Sequence, residues 1–341
     1  MSITTTEKQT SFAQTLIQEK IFIPPSAPRA SSLPWLPPSW VPYGELARLH
    51  KPAGILYIYF PYLFGSLFAA CISAEVPSPR QMVLPNVLLL SIAFVIRSIG
   101  CTWNDYVDRD LDKHVDRCHV RPLARGAVAP SAALLFMMAQ YFVLFAFAGV
   151  TAPESLPYLI PVVLTGTFYP YAKRITHYAQ LVLGISLSMG TLVGCTVTGV
   201  GAIDFSSPFQ RTGISLLALM ASYVVWTMIY DTIYALQDLE SDKKIGNMAM
   251  SIKFEENMAQ LLYFLSVVMV VLLITTGYFM NASAFFYVFV AVTGLILYAM
   301  VSSINLDDSK DCWWWFVKGG LMIGSSLTGM LMVEYLARAF L

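Results

Sequence analysis

Two stretches of this chain concentrate carboxylates at helical spacing. The first reads Asn104-Asp105-Tyr106-Val107-Asp108-Arg109-Asp110-Leu111-Asp112, and the second runs from Asp231 through Tyr234 and Asp238 to Asp242. On a continuous helix Asn104, Asp108 and Asp112 recur every fourth residue, while Asp231, Tyr234, Asp238 and Asp242 recur every third or fourth, so each set shares one face. Stacked like charges cost a helix a few tenths of a kcal/mol per pair, so a cation is expected between the two faces. Mg2+ takes oxygen ligands and is usually held by one or two carboxylates together with phosphate oxygens. Two acidic faces across one cavity predict two Mg2+ ions with a diphosphate between them. Solvation of helix ends is the plain alternative for either cluster alone.

Basic residues follow the acidic ones. Lys113, Arg117, Arg121 and Arg125 trail the first cluster, and Lys173-Arg174 follows Tyr169-Pro170-Tyr171. These are candidates for the outer phosphate oxygens, which Arg grips in bidentate fashion, or else anchors at the membrane surface. Arg97 stands inside an apolar run two turns before Asn104. A charge there costs about 2.5–3.5 kcal/mol on insertion scales and usually faces a cavity or partner. It is positioned to receive a substrate carboxylate or phenolate, with a buried ion pair or a snorkelling side chain as the alternatives.

The elements that position these groups are apolar. Of 341 residues, 57% are hydrophobic and 12% charged, against about a quarter charged in a soluble domain, and the mean hydropathy is +0.62. Nine runs reach the length and apolarity expected of a bilayer span: 52–74, 82–102, 131–150, 156–171, 180–203, 213–236, 259–278, 283–304 and 313–337. The expected fold is an all-α integral membrane domain, 44–341, of nine helices around a central cavity. The links 103–130 and 238–258 hold most of the charge. Lys and Arg favour the cytoplasmic side. Placing the N-terminus there puts both links on that side as well, leaving Arg80, Arg97, Arg211, Lys318 and Arg338 on the other side or inside helices. The active site is accordingly expected at the cytoplasmic side. Residues 1–43, polar and then Pro-rich, read as an irregular cytoplasmic tail. It has too few apolar residues for a signal peptide and too balanced a charge for a mitochondrial presequence, which points to the endoplasmic reticulum or another endomembrane. The 21 basic and 21 acidic residues cancel, giving no electrostatic case for nucleic acid. Five cysteines without metal spacing read as reduced packing residues.

Together these residues resemble the membrane aromatic prenyltransferases of the UbiA superfamily, which includes 4-hydroxybenzoate polyprenyltransferases. The resemblance runs from about Arg48 to the C-terminus. NDxxDxxxD is met by Asn104, Asp105, Asp108 and Asp112, and DxxYAxxDxxxD by Asp231, Tyr234, Ala235, Asp238 and Asp242, followed by Lys244-Ile245-Gly246. Arg48 to Gly54 is similar to an RxxKPxG segment, and Tyr169 to Thr176 to YPxxKRxT. Two departures bear on substrate identity: Ala179 precedes Gln180 where the family often has Pro-Gln, and Met248 stands where a small polar residue is common.

The resemblance implies a cavity open laterally to lipid, in which Asn104, Asp108, Asp112, Asp238 and Asp242 hold Mg2+ and diphosphate. Arg48, Arg117, Arg121 and Lys173 would contact phosphate, Arg97 would face the aromatic acceptor, and Asp231 and Tyr234 would lie near the reacting centre. The implied reaction is ionisation of an allylic diphosphate, attack by an aromatic carbon on the allylic cation and loss of a ring proton. The expected partners are the lipid bilayer, farnesyl diphosphate as donor and an orsellinate-type polyketide acid as acceptor in meroterpenoid biosynthesis. The alternative is a 4-hydroxybenzoate polyprenyltransferase of ubiquinone synthesis. A membrane transporter is a distant third, since transporters have no use for paired aspartate signatures.

Overall fold

Within a bilayer every backbone N–H and C=O must be satisfied internally, and the apolar runs accordingly become helices. A computed structural model describes residues 33–115, 117–198 and 210–340. Residues 1–32, with most of the expected tail, lie outside the described residues, as does the end of the expected span 180–203. Among the described residues there are no strands. The principal helices are α1 (Gly54–Ile72), α2 (Pro79–Asp108), α3 (Pro130–Thr151), α4 (Leu156–Ala172), α5 (Ala179–Val197), α6 (Arg211–Ala235), α7 (Met258–Met280), α8 (Ala284–Ser303) and α9 (Gly320–Phe340). α5 is broken at Met189 into Ala179–Ser188 and Gly190–Val197.

Eight of these segments are long and apolar enough to cross a membrane. The remaining one of the nine expected spans is α4. Its 17 residues span roughly 26 Å at 1.5 Å per residue, short of the roughly 30 Å hydrocarbon core. Local signals set the helix starts. Pro79 and Pro130 occupy the first turns of α2 and α3, where a missing N–H is harmless, and Gln81 closes a capping box on Ser78. Asn281, left-handed at φ 54°, ends α7 and turns the chain directly into α8.

The helices close into a ring. Neighbours pack in the order α1, α2, α4, α5, α6, α7, α8, α9 and back to α1, with α3 against the outside of α2. The largest core lies among α1, α6, α7, α8 and α9, and a second among α2, α3, α4 and the latter half of α5. Phe142 and Val150 of α3 and Leu295 of α8 point outward, giving the apolar belt that lipid requires. At the end remote from the acidic links, Arg338 donates to Cys71 O and Met280 O and pairs with buried Glu334 at 2.7 Å, while Glu334 accepts from Ser283 N at 2.8 Å. This buried cluster joins α1, the α7–α8 turn and α9.

The crossing of α1 with the second half of α5 is the tightest in the bundle. Lipid supplies little hydrophobic force between helices, so small residues that allow close backbone approach carry the packing. A Cβ on Gly65 would overlap the Thr191 carbonyl, and one on Gly194 the Tyr62 carbonyl. Because backbone cannot yield as a side-chain tip does, Gly194→Leu is expected to exceed the usual overpacking cost of about 1–3 kcal/mol. The expected outcome is loss of the monodisperse peak in detergent size-exclusion chromatography; an unchanged peak and melting temperature would contradict the crossing.

Candidate active site

The acidic links begin where the helices stop. α2 ends at Asp108, and Asp112 opens a separate 3-10 turn, Asp112–His114. Asn104, Asp108 and Asp112 thus do not share one continuous helix, as the spacing had suggested, yet the turn brings Asp112 back beside Asp108. The second cluster is bent in the same way. Asp231 and Tyr234 sit on α6, Asp238 on the 3-10 turn Leu236–Asp238, and Asp242 on the short helix Leu239–Ile245.

A cavity of about 100 Å3 lies between the two clusters. Asp108 and Asp112 line one wall and Asp231, Tyr234, Asp238 and Asp242 another, with Arg117, Arg121 and Lys173 among them. Asp108, Asp112, Asp238 and Asp242 each have a cation or amide facing them. Arg117 grips Asp238 through Nε at 3.0 Å and through Nη2, and its Nη1 donates to the Tyr234 hydroxyl. Arg121 Nη1 reaches both Asp112 oxygens, at 2.9 and 3.1 Å. Asp108 accepts from Arg174 at 3.2 Å and lies 3.9 Å from Lys173 Nζ. Asn247 donates to Asp242 at 2.8 Å. The Asp231 carboxylate has no hydrogen-bond or ion-pair partner among the described residues. Tyr169 completes the wall near Lys173, whose ammonium lies 5.0 Å from the ring centre.

These pairings set the charge states. Burial works against the Arg117 and Arg121 charges, but the carboxylates around them win and hold both guanidinium groups above their ordinary range. Burial pushes Asp112 the other way, up to about 6; Arg121 opposes the shift and the nearby Asp105 and Asp108 carboxylates reinforce it.

Three expected site residues do not line the cavity: Asn104, Arg48 and Arg97. Arg48 forms a bidentate pair with the fully buried Asp105, at 2.9 and 2.5 Å, and Asp105 also meets Arg121 at 3.3 Å. Arg97 donates to Arg48 O at 3.2 Å and Lys51 O at 2.7 Å. These bonds tie Arg97 to the segment before α1. The physical reason is local. Arg48 is left-handed, at φ 57°, a conformation costing about 1–3 kcal/mol unless surroundings enforce it, and the Asp105 pair and the Arg97 bond together enforce it. Gly54 is required alongside, since a Cβ there would lie 2.7 Å from Arg97 Nη2. Lys113 and Arg125 also turn away, to Asp110 and Glu45.

Sequence reasoning passed over Asp105 as a structural anchor, Arg174 as a partner of Asp108, and Asn247, Tyr169 and Gln180 as wall residues. Asp105 was visible inside the NDxxD stretch, rotated about 100° from Asn104, which was the available signal. Below Tyr234 lies aromatic core packing. Phe316 lies 4.6 Å from the Tyr234 ring, Tyr57 stacks on Phe316 at 5.1 Å, and Trp226 continues inward.

Among the described residues no three acidic, His or Cys side chains converge on a ready-made metal cage. Carboxylates divided between two walls suit Mg2+ held jointly with phosphate oxygens, and arginines now paired with carboxylates suit the same phosphate. The chemistry the arrangement offers is charge neutralisation of a diphosphate.

The profile of the UbiA prenyltransferase family matches residues 58–327. Prenyltransferase stbC of Stachybotrys bisbyi is 33% identical over 308 residues, 88% of this chain and 89% of that protein. The mitochondrial 4-hydroxybenzoate polyprenyltransferase of Saccharomyces cerevisiae is 32% identical over 318 residues, 89% of this chain and 79% of that protein. Among solved structures, a UbiA homolog from Archaeoglobus fulgidus bound to GPP and Mg2+ superposes with a TM-score of 0.60 at 18% identity, covering 86% of this chain and 99% of that one.

Removing one partner of a buried ion pair leaves an uncompensated charge, at a cost of about 3–5 kcal/mol. Asp105→Ala is therefore expected to lower the melting temperature in detergent by several degrees, more than Asp110→Ala, whose carboxylate is exposed. Equal melting temperatures for the two variants would refute the anchoring role.

Proposed function

The chain belongs to the UbiA prenyltransferase family and is a membrane prenyltransferase, and from that premise we propose that it transfers a farnesyl group from farnesyl diphosphate to a ring carbon of an orsellinate-type phenolic acid, releasing diphosphate, in meroterpenoid biosynthesis. The observation that carries the reading is one cavity with carboxylates on two walls and arginines between them. The identity with prenyltransferase stbC along most of both chains supports prenyl transfer. A second reading, prenylation of 4-hydroxybenzoate with a longer donor, is favoured by the similarity to the yeast enzyme.

In this reading Asp108, Asp112, Asp238 and Asp242 hold Mg2+, with Asn104 behind them. When bound, Mg2+ neutralises charge developing on the diphosphate leaving group. Arg117, Arg121 and Lys173 exchange carboxylate oxygens for phosphate oxygens, which their forks and ammonium suit equally. Arg48 and Arg97 act from behind, by fixing the segment before α1 against Asp105, which Arg121 also meets. Tyr234 and Tyr169 offer ring faces to an allylic cation, and Asp231, free of partners, is placed to take the ring proton. The domain is 44–341, preceded by a cytoplasmic tail, in an endomembrane with the cavity on the cytoplasmic side. The basic links at the cavity end support that orientation.

A membrane-fraction assay with Mg2+ tests this, pairing geranyl, farnesyl and longer diphosphates with orsellinic acid and 4-hydroxybenzoate. Farnesyl transfer to orsellinic acid, reduced about 100-fold or more in Asp108→Ala and Asp238→Ala, is the expected outcome. Polyprenylation of 4-hydroxybenzoate alone selects the second reading, and substrate movement without pyrophosphate release would sink both.

Titration adds a further expectation. The raised Asp112 carboxyl, about 6, holds a proton below that pH, and metal binding must displace it. Apparent affinity for Mg2+ is therefore expected to rise as pH increases through 6 and level off above it. The same raised value means the metal-free protein loses stability as pH rises from about 4 through 6, since the folded state retains the proton longer than the unfolded chain. Asp112→Asn should flatten the metal profile, as read by Mn2+ binding followed by electron paramagnetic resonance.

A further inference from the structure

Gln180 occupies the second position of α5 and is 3% exposed, yet its side chain is part of the cavity wall. Its Oε1 accepts the Met250 N–H at 3.2 Å. A backbone N–H can only donate, so this bond fixes which end of the amide is oxygen and turns Nε2 the other way. Nε2 has no partner among the described residues. Nε2 is thus a free donor on a side chain that faces open space. Ala179, the first residue of the same helix, lines the cavity beside it. The helix Ala179–Ser188 has no side-chain cap at Tyr178, so the positive end of its dipole opens on the same space.

Among the other donors around the cavity, the Lys173 ammonium lies 3.9 Å from Asp108. Arg117, Arg121 and Asn247 are bound to Asp238, Asp112 and Asp242, on the side where the diphosphate belongs. Arg97, the cation expected at the acceptor, is spent on backbone carbonyls. A phenolic acid entering this cavity brings a carboxylate that needs a donor away from the diphosphate. The geometry points to the Gln180 amide, backed by the α5 N-terminus, as the subsite for the carboxylate of the aromatic acceptor. This rests on the acceptor being an aromatic acid. A neutral amide suits the task because it attracts a carboxylate without competing, as a further lysine would, for the diphosphate. The strap that orients it is itself tied down, since Met248 N donates to Lys173 O at 2.7 Å. Gln180 thereby couples the acceptor subsite to the diphosphate wall.

The test compares orsellinic acid with orcinol, the same ring lacking the carboxylate, in wild type, Gln180→Glu and Gln180→Met. Gln180→Glu retains an oxygen for Met250 N–H but replaces the donor with negative charge; Gln180→Met removes both. The expected result in both variants is a KM for orsellinic acid raised about 10- to 100-fold, the loss of a hydrogen bond to a charged group, with KM for orcinol and for farnesyl diphosphate within about threefold of wild type. An equal rise for acid and orcinol would make Gln180 a support of the strap alone, and a rise for the donor would move it to the diphosphate; either overturns the subsite, as does no change. Equilibrium dialysis of labelled orsellinic acid, with Mg2+ and pyrophosphate present, separates this inference from the wider reading. Gln180-dependent binding without prenyl transfer upholds the subsite and sinks the acceptor assignment, whereas transfer indifferent to Gln180 does the reverse.

Discussion

Everything at the acidic end of the bundle depends on the pairing of Asp105 with Arg48 and Arg121. Asp105 is fully buried, where an isolated carboxylate would be prohibitive, so its two arginines are obligatory. One of them holds the left-handed turn before α1, and the other reaches onward to Asp112. A single buried charge therefore ties together the segment before α1, the end of α2 and the link after it. The strain stored at Arg48 and the placement of Asp112 on the cavity wall both follow from it.

The same economy of charge governs the rest of the cavity. Carboxylates crowded at the ends of α2 and α6 repel one another, and Asp108, Asp112, Asp238 and Asp242 are each answered by a guanidinium, an ammonium or an amide supplied by a different part of the chain. These partners are interchangeable with those a diphosphate and metal would provide. An arginine that now faces a carboxylate can face a phosphate, and the carboxylate so released can face a cation, with little change in the total charge buried. A site preloaded with its own counter-ions keeps its shape between turnovers while leaving the charges available for exchange. Asp231 stands apart, with no hydrogen bond or ion pair among the described residues and only the more distant charges of Lys173 and Arg117 acting on it.

The membrane explains why the chemistry sits where it does. Outward faces of α3 and α8 must be apolar, and the bundle interior is filled by aromatic and aliphatic packing, so polar residues are left to the helix ends. The remote end uses its share for Glu334 and Arg338, which lock three elements together. The acidic end uses its share to build a cavity. The difference between a structural cluster and a site is that the first is filled and the second is left open.

Composition and periodicity alone established the membrane class, the order of the helices and the two acidic clusters, because hydrophobic run length and helical spacing are local properties. The UbiA-like pattern of Asn104 to Asp112 and Asp231 to Asp242 was likewise legible, since each motif lies within a dozen residues. The shortfall of α4 was nearly so, as its length could be counted but its ends could not be placed. Partnership across the fold was not legible. Arg48 finds Asp105 across 57 residues and Arg117 finds Asp238 across 121, and no local rule selects one arginine among several for a given carboxylate. Arg97 shows the limit most plainly: its depth in α2 was correctly read, but only the packed lead-in to α1 decided that backbone carbonyls would occupy it. Gln180 is the converse, an amide read in sequence only as part of a family-like pair, which became a wall residue when α5 and the segment after Gly246 came together. Side-chain pairing at long range is decided by which helices touch, and that is a property of tertiary packing.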